Sequence, residues 1–222
     1  DYVTKPFDKF ELEVRLRAGK RIVELQQELI ESRETIRVIA MHDSLTKVYN
    51  RGAILDSLRK EFARAERKET TFGVILLDLD HFKKINDTYG HPMGDKVLQG
   101  VALNIRESIR PYDSIGRYGG EEFLMILPGC DLLTTASQAE RLRMKIERSK
   151  VKSEMDDIAV TVSMGVASCR TGQDCSVEHL LVSVDEALYK AKAEGRNRVY
   201  MRDAEHSFLP FEIHPSNYEE WV

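Results

Sequence analysis

The chain has 222 residues, of which 42% are hydrophobic and 32% are charged, and its formal net charge is −4. This composition is that of a globular protein with one well-formed core, and it excludes the disordered and fibrous classes. The negative balance disfavours a nucleic-acid binder, which normally carries a basic surplus, whereas a mononucleotide needs only a few local cations.

The cysteines and the apolar runs indicate the compartment. Three cysteines are too few and too scattered for a disulfide framework or a zinc site, and we expect idle thiols in a reducing environment. They are Cys130, Cys169 and Cys175. No apolar run approaches the ~18 residues of a membrane span, and no charged and apolar leader precedes a cleavage site. The sequence therefore predicts a cytoplasmic protein with no membrane partner.

The first long segment, from about residue 8 to residue 41, is densely charged and has no proline and one glycine, Gly19. These properties predict one long helix. Residues in steps of three and four form the pattern of a heptad seam. The seam consists of Ile22, Leu25, Leu29, Ser32, Ile36 and Ile39. Two interpretations remain: two copies pair along this stripe as a coiled coil, or the helix packs on its own domain.

A turn-like stretch from His42 to Arg51 follows, and a domain boundary is expected near residue 42. The run from Phe72 to Leu79 is typical of a strand covered on both faces in the middle of a sheet. Two short apolar segments flank Tyr118-Gly119-Gly120-Glu121, which predicts a β-hairpin.

The predicted helices are 52–67, 93–109, 132–150 and 177–193, and the predicted strands are 72–79, 113–117, 122–127, 158–169 and 198–201. This alternation predicts an α/β or α+β domain with a mixed central sheet flanked by helices.

Carboxylates mark the ends of two predicted strands. Asp78 ends a buried strand, where its charge needs a partner, and Glu121 lies at the tip of the hairpin. Together they could hold one or two magnesium ions on a triphosphate. Asp80 is ambiguous, and we favour a simple helix N-cap for it over a metal ligand. By itself the hairpin is weak support, because an ordinary turn with exposed acids would look the same.

Cations and polar groups follow the acids along the chain. The helix that begins near His81 and Phe82 offers backbone amides to phosphates, and Lys83 adds positive charge. Lys192 and Arg196 are four residues apart and could reach the same phosphates, although a solvated basic face explains them equally well. An amide and a carboxylate also match the edge of guanine. The residues with those groups are Asn86 and Asp95.

Six separated segments of the chain, from about residue 41 to residue 202, match one family in its order. They are Asp43-Ser44-Leu45-Thr46 with Asn50-Arg51; Asp78 to Asp87; Gly90-His91 with Gly94-Asp95; Arg117 to Phe123; Ser163 to Ala167; and Ala187 to Lys192 with Gly195-Arg196-Asn197. In these segments the chain resembles a GGDEF domain, the diguanylate cyclase family. Two departures are small: Glu121 replaces the Asp of the signature and keeps the carboxylate, and Val48 replaces a Leu.

The resemblance implies a palm-like fold similar to that of nucleotidyl cyclases and some polymerases, and one GTP in each of two facing domains. It implies that Asp78, the Leu79 carbonyl and Glu121 bind magnesium, with manganese as an alternative ion and Glu122 as a further candidate ligand. It also implies roles for residues around the nucleotide. In this family pattern, Glu121 would take the proton of the attacking hydroxyl. The charge on the phosphates would be stabilised by Lys83, the His81 and Phe82 amides, Lys192 and Arg196. Guanine would be recognised by Asn86 and Asp95, with His91 close to the nucleotide.

Two further resemblances lie outside the active-site motifs. Arg110-Pro111-Tyr112-Asp113, just upstream of the hairpin, resembles the inhibitory product site of the family, in which Arg110 and Asp113 bind cyclic di-GMP. Residues 1–7 resemble the end of a response-regulator receiver domain, and we expect the rest of that domain upstream of this chain. The predicted organisation is thus a receiver remnant (1–7), a linker helix (8–41), a GGDEF domain (42–202) and a C-terminal extension of unknown role (203–222).

The sequence predicts a homodimeric diguanylate cyclase that converts GTP to cyclic di-GMP. One alternative is a non-catalytic module that binds GTP or cyclic di-GMP and passes a signal to a partner. A scaffold that acts only through the long helix is a second alternative. Intact metal and signature residues favour the enzyme over both.

Overall fold

The computed structural model describes residues 9–151, 157–170, 176–203 and 207–212. The chain divides into two compact units, residues 1–41 and residues 42–222. The predicted receiver remnant, residues 1–7, lies outside the described residues. Among the described residues, no helix is both long enough and apolar enough to cross a membrane.

The first unit is one helix, α1 (Lys9–Met41), as predicted. Its 33 residues extend about 50 Å, at 1.5 Å per residue. The apolar residues of the predicted stripe are all exposed, from 47% at Leu25 to 73% at Ile39. Pairs such as Lys20–Glu24, at 3.8 Å, are solvent-exposed and contribute little to helix stability.

The second unit is built on a mixed sheet with helices on both faces. The helices are α2 (Arg51–Lys68), α3 (Phe82–Tyr89), α4 (His91–Ser108), α5 (Leu132–Arg148) and α6 (Val177–Ala193). The strands are β1 (Thr71–Leu79), β2 (Ser114–Arg117), β3 (Glu122–Pro128), β4 (Lys150–Val151), β5 (Ile158–Ala159), β6 (Val162–Arg170), β7 (Val199–Arg202) and β8 (Phe208–Phe211). The main sheet has the order β2-β3-β1-β6-β7-β8, and β4 pairs with β5 separately.

Strand β1 is in the interior of the sheet, as its apolar run predicts. It pairs antiparallel with β3 on one side and with β6 on the other. Its side chains alternate between two cores, as the two-residue period of a strand requires. Ile75 and Leu77 pack with α4 and α5, whereas Val74 and Leu76 pack with α2 and α6. Asp78 continues the second set, so its side chain is on the α2 and α6 face.

The sheet and helix α6 approach closely at Gly165 in β6. A Cβ at this position would collide with the backbone of Val184 and Leu188. We expect Gly165→Ala to lower the free energy of unfolding by about 3 kcal/mol, because backbone atoms cannot move aside as a flexible side chain can. Urea unfolding measures the effect. Gly120→Ala is the matched control, since no atom lies within 4 Å of a Cβ there; equal midpoints for the two variants would contradict the prediction.

Two parts of the chain differ from the prediction. The strand predicted over 158–169 is split, because Ile158 pairs with Val151 in the small sheet, whereas the main-sheet strand starts at Val162. The segment after residue 202 shows no periodicity, yet β8 pairs antiparallel with β7 and extends the main sheet. Residues 204–206 and 213–222 lie outside the described part.

The cysteines also differ from the expectation. Cys130 is a buried free thiol, as expected. Cys169 is disulfide-bonded, so the prediction of an idle thiol is wrong for this residue. Sequence spacing alone could not show this, because it does not report distances between sulfur atoms. Cys175 lies outside the described residues.

Candidate active site

Three carboxylates meet where β1 ends beside the hairpin. Asp78 is directly opposite Glu122 in the β1–β3 ladder, so their side chains point to the same face. The Leu79 amide donates to the Glu121 carbonyl at 3.3 Å, which holds the hairpin tip against the end of β1. Asp78, Glu121 and Glu122 are therefore brought together by two adjacent strands.

The acids are held at an electrostatic cost. Asp78 is only 5% exposed, and burial raises its pKa, against the opposing effect of Lys192. Burial and the charge of Asp78 likewise raise the pKa of Glu121 and of Glu122. Carboxylates that repel one another in a partly desolvated cleft favour a bound cation.

A cation from α6 partly balances this charge. The Lys192 ammonium is 2.8 Å from Asp78 Oδ2, and the charge of Arg196 also opposes the rise in the pKa of Asp78. Both cations were candidates for a solvated basic face. The contact with Asp78 places Lys192 beside the acids.

The hairpin is fixed by Arg117, to which the sequence assigned no role. Its Nε and Nη2 donate to the Gly120 carbonyl at 3.1 and 2.7 Å. Its Nη1 donates to both oxygens of Asp43 at 3.3 Å. Asp43 in turn accepts from the amide and the hydroxyl of Thr46 at 2.8 and 2.7 Å. The segment Asp43-Ser44-Leu45-Thr46 is thus connected to the hairpin through the Arg117 guanidinium.

Electrostatics favours this clamp. Burial alone would raise the pKa of Asp43, but the bonds from Thr46 and the charge of Arg117 hold that pKa below its ordinary value. Asp43 and Arg117 are each only 20% exposed, which makes the pair less screened than a surface ion pair. On the other side of the hairpin, the Arg51 guanidinium is 4.7 Å from the centre of the Tyr118 ring, within the range of a cation–π contact.

Asp80 has a different role from the predicted N-cap. Its carboxylate accepts hydrogen bonds from Thr161 Oγ1, Ser163 Oγ and the backbone N–H of Asn197 at 2.8, 2.7 and 3.0 Å. Helix α3 starts later, and its capping residue, His81, makes no side-chain cap within the described structure. The N-cap prediction is wrong: the Asp80 carboxylate accepts hydrogen bonds from hydroxyls that are distant in the sequence, and the capping position of α3 is His81.

Three of the residues predicted to bind phosphates, His81, Phe82 and Lys83, follow the end of β1 in the chain. His81 has a left-handed backbone, with φ 57°, and immediately precedes α3. The amides of the first helical turn have no acceptor within the helix itself. Phe82 is buried and anchors the turn, whereas Lys83 is exposed on it.

The predicted guanine-binding residues lie on α3 and α4. A Cβ at Gly94 would collide with the amide oxygen of Asn86, so only glycine allows this side chain to approach α4. Asp95 follows Gly94 and is exposed, and His91 begins α4. The side chain of Asn86 thus packs against α4 at Gly94, the residue that precedes Asp95.

The predicted product-site residues form a separate group before β2. Arg110 is exposed, and its Nη1 donates to the Tyr112 hydroxyl at 3.1 Å. Its amide donates to Asp113 Oδ2 at 2.8 Å. Asp113 Oδ1 is buried and has no hydrogen-bond partner among the described residues. An acceptor of this kind is suited to an incoming N–H donor.

The donors present fit a hard divalent cation. All of them are oxygens: the carboxylates of Asp78, Glu121 and Glu122 and the carbonyl of Leu79. Within the described ranges, no three His, Cys, Asp or Glu side chains are arranged so that they could hold a metal ion by themselves. Magnesium does not require such an arrangement, because it usually binds one or two carboxylates and takes further oxygens from substrate phosphates and water. The oxygens present are thus of the type that a hard divalent cation prefers.

Comparison with known proteins gives consistent matches. The family model described as diguanylate cyclase, GGDEF domain, matches residues 40–198. The chain is 39% identical to diguanylate cyclase DosC of Escherichia coli strain K12 and 38% identical to response regulator PleD of Caulobacter vibrioides. These alignments cover 86% and 90% of this chain but only 41% and 44% of the relatives. The chain thus spans less than half the length of the curated relatives that it matches.

Solved structures show the same similarity in three dimensions. The coiled coil and GGDEF domain of DgcB from Caulobacter crescentus, in complex with c-di-GMP, has a TM-score of 0.76 and 37% identity. That match covers 86% of this chain and 98% of the DgcB chain. The active GGEEF domain of a diguanylate cyclase from Vibrio cholerae has a TM-score of 0.64 and 34% identity, over 68% of this chain and 96% of the other.

Proposed function

Because the chain belongs to the diguanylate cyclase GGDEF domain family, we propose that it condenses two GTP molecules into cyclic di-GMP and two pyrophosphates. The observation that carries the proposal is the convergence of Asp78, Glu121 and Glu122 beside Lys192. A binding module has no need for repelling carboxylates in a half-buried cleft, whereas phosphoryl-group chemistry uses them to hold cations on the phosphates.

The residues of the chain divide the work in the following way. Asn86 and Asp95 hold guanine, and Lys83, the first-turn amides of α3, Lys192 and Arg196 bind the phosphates. Glu121 accepts the proton of the 3′-hydroxyl as that oxygen attacks the α-phosphorus of the second GTP, and the bond from that phosphorus to pyrophosphate breaks.

Asp78, the Leu79 carbonyl and Glu121 are the residues that would hold magnesium, with Glu122 as a further oxygen ligand. Manganese, another hard cation, suits the same oxygens. When bound, the ion neutralises charge on the phosphates and favours loss of the hydroxyl proton.

Catalysis requires two copies, because each domain supplies one GTP and two new ester bonds form between them. The exposed apolar stripe on α1 supports pairing as a coiled coil. The DgcB fragment that the chain resembles includes a coiled coil. The similarity to a response regulator further supports an upstream receiver domain that controls this pairing.

Incubation of the purified chain with GTP and magnesium, followed by chromatography of the nucleotides, tests the proposal. Cyclic di-GMP and pyrophosphate are the expected products. Bound GTP with no cyclic product would favour the alternative, a non-catalytic module that binds GTP or cyclic di-GMP.

We also propose that cyclic di-GMP inhibits the enzyme through Arg110 and Asp113. The carboxylate of Asp113 combines an oxygen anchored by the Arg110 amide with a buried oxygen that has no partner in the described structure. Guanine offers N–H donors to such an acceptor, and the exposed Arg110 guanidinium suits a phosphate or the guanine carbonyl.

Arg110→Ala should raise the concentration of cyclic di-GMP that halves the rate by about tenfold or more, because a hydrogen bond to a charged group contributes about 1.5–3 kcal/mol. The initial rate without product should stay at the wild-type level. Rates measured at increasing concentrations of added cyclic di-GMP check both points. Arg106→Ala removes the same charge one turn earlier and serves as the control; equal inhibition of the two variants would show that Arg110 does not bind the product.

A further inference from the structure

Asp80 links the strand end to the loop after α6. It is 4% exposed, and Ser163, one of its donors, is directly opposite Asp78 in the β1–β6 ladder. The Asn197 amide donates to its other oxygen at 3.0 Å. One buried carboxylate thus joins β1, β6 and the loop that contains Arg196.

The side chain of Asn197 continues the network to α5, on the opposite face of the sheet. It accepts from Arg143 Nη1 at 2.7 Å and donates to Glu147 Oε1 at 2.7 Å. Arg143 also donates to both oxygens of Glu140, at 2.9 and 2.8 Å. Arg143 and Glu140 have side chains that are 12% and 5% exposed, so this end of the network is well shielded from water.

The network holds a backbone that the residues themselves disfavour. Arg196 and Asn197 have φ values of 64° and 48°, a left-handed conformation that non-glycine residues adopt at an energetic cost. The Arg196 amide donates to the Ala191 carbonyl at 3.0 Å, which closes the loop on the end of α6. Arg196 itself is exposed, and its charge acts on Asp78.

We propose that Asp80, Asn197 and Arg143 are positioning residues that fix this left-handed loop and so direct the Arg196 guanidinium to the triphosphate of GTP. The inference rests on the proposed function in one respect, the assignment of Arg196 to the phosphates. It adds that a network from the far side of the sheet sets the strength of that contact.

A double-mutant cycle between Arg196 and Asn197 tests the proposal. Asn197→Gly suits this test because glycine keeps the left-handed backbone and the hydrogen bond from the backbone N–H to Asp80. The side-chain hydrogen bonds to Arg143 and Glu147 are lost. The probe is 3′-deoxy-GTP with magnesium, measured by calorimetry, because it lacks the attacking hydroxyl and cannot condense. We expect Asn197→Gly to weaken binding about fivefold and Arg196→Ala about twentyfold.

The double variant should bind as Arg196→Ala does, within about twofold, because the network acts through that guanidinium. Multiplication of the two single effects would overturn the proposal, as would wild-type affinity of either single variant. Product formation by the wild type is measured separately. If the wild type forms cyclic di-GMP but the two single effects on affinity multiply in the double variant, only this inference is refuted. A protein that binds the probe but forms no product refutes only the proposed function.

Two further variants separate positioning from general destabilisation. Glu69, at the end of α2, also has a left-handed backbone, with φ 53°. Glu69→Gly removes the conformational cost at that residue, outside the network, and should leave the affinity for the probe unchanged. Glu147→Gln removes a charge from the network at a side chain that is 43% exposed and should weaken binding about twofold. A fivefold loss in Glu69→Gly, or no loss in Glu147→Gln at an unchanged melting temperature, would contradict the proposal.

Discussion

Glu121→Gln is expected to lower the turnover of GTP by about a thousandfold, since it removes both the proposed metal ligand and the proposed acceptor of the hydroxyl proton. Gln has the same shape but less affinity for a hard cation. The thermal midpoint without magnesium should not fall, because the change removes one of three repelling carboxylates. Measured rates of cyclic di-GMP formation and thermal unfolding decide both points.

The control for this variant is Glu66→Gln on the exposed surface of α2, which makes the same chemical change away from the acids. It should keep the wild-type rate. Turnover of Glu121→Gln within tenfold of the wild type would mean that Glu121 is neither the ligand nor the base. A lower midpoint together with lost turnover would instead point to a structural role for the carboxylate.

Leu25→Asp combined with Leu29→Asp should make the protein monomeric and lower its rate at micromolar concentration by about a hundredfold. Two copies joined through α1 experience an effective concentration that reaches about a millimolar, whereas separate monomers must meet by diffusion. The catalytic domain should stay folded, because both side chains are already exposed. Light scattering reports the mass, and the rate should rise with the square of protein concentration.

The chain supplies a matched control for the stripe. Val23 and Ile30 are 65% and 60% exposed and follow the stripe residues Ile22 and Leu29, about 100° around the helix. Val23→Asp with Ile30→Asp therefore adds the same charge off the stripe and should keep the dimer and its rate. If the stripe variant remained dimeric, or if its monomer kept the full rate, the proposed role of α1 would be wrong.

The sequence was informative where a local pattern coincides with a site. The apolar run of β1 ends at Asp78, and paired glycines precede Glu121, so the local pattern alone places both acids at strand ends. The central position of β1 and the long helix α1 were likewise predicted correctly. In each case the period of a single segment carries the information.

Asp80 shows where such reasoning ends. Its three donors are 81, 83 and 117 positions away in the sequence, and no local pattern reports contacts of that separation. The nearby start of α3 made a cap the natural interpretation. Arg117 was missed as a clamp for the same reason, because Asp43 is 74 positions away.

Strand β8 was missed for a different reason. Four residues are too few to show a period of two, and Pro210 argues against an interior strand. Proline is tolerated in β8 because this strand is the last in the sheet order, where one side needs no ladder partner. Only the pairing with β7 identifies it.

The interior position of β1 has a consequence for partial unfolding of the domain. Amide groups in a strand bonded on both sides exchange with water only when most of the domain opens, whereas loops open at lower free energy. Asp78 is carried by that protected strand, and Arg196 is carried by a loop. A local opening of the loop would therefore move the Arg196 guanidinium, which we propose binds the phosphates, and leave Asp78 and the neighbouring carboxylates in place.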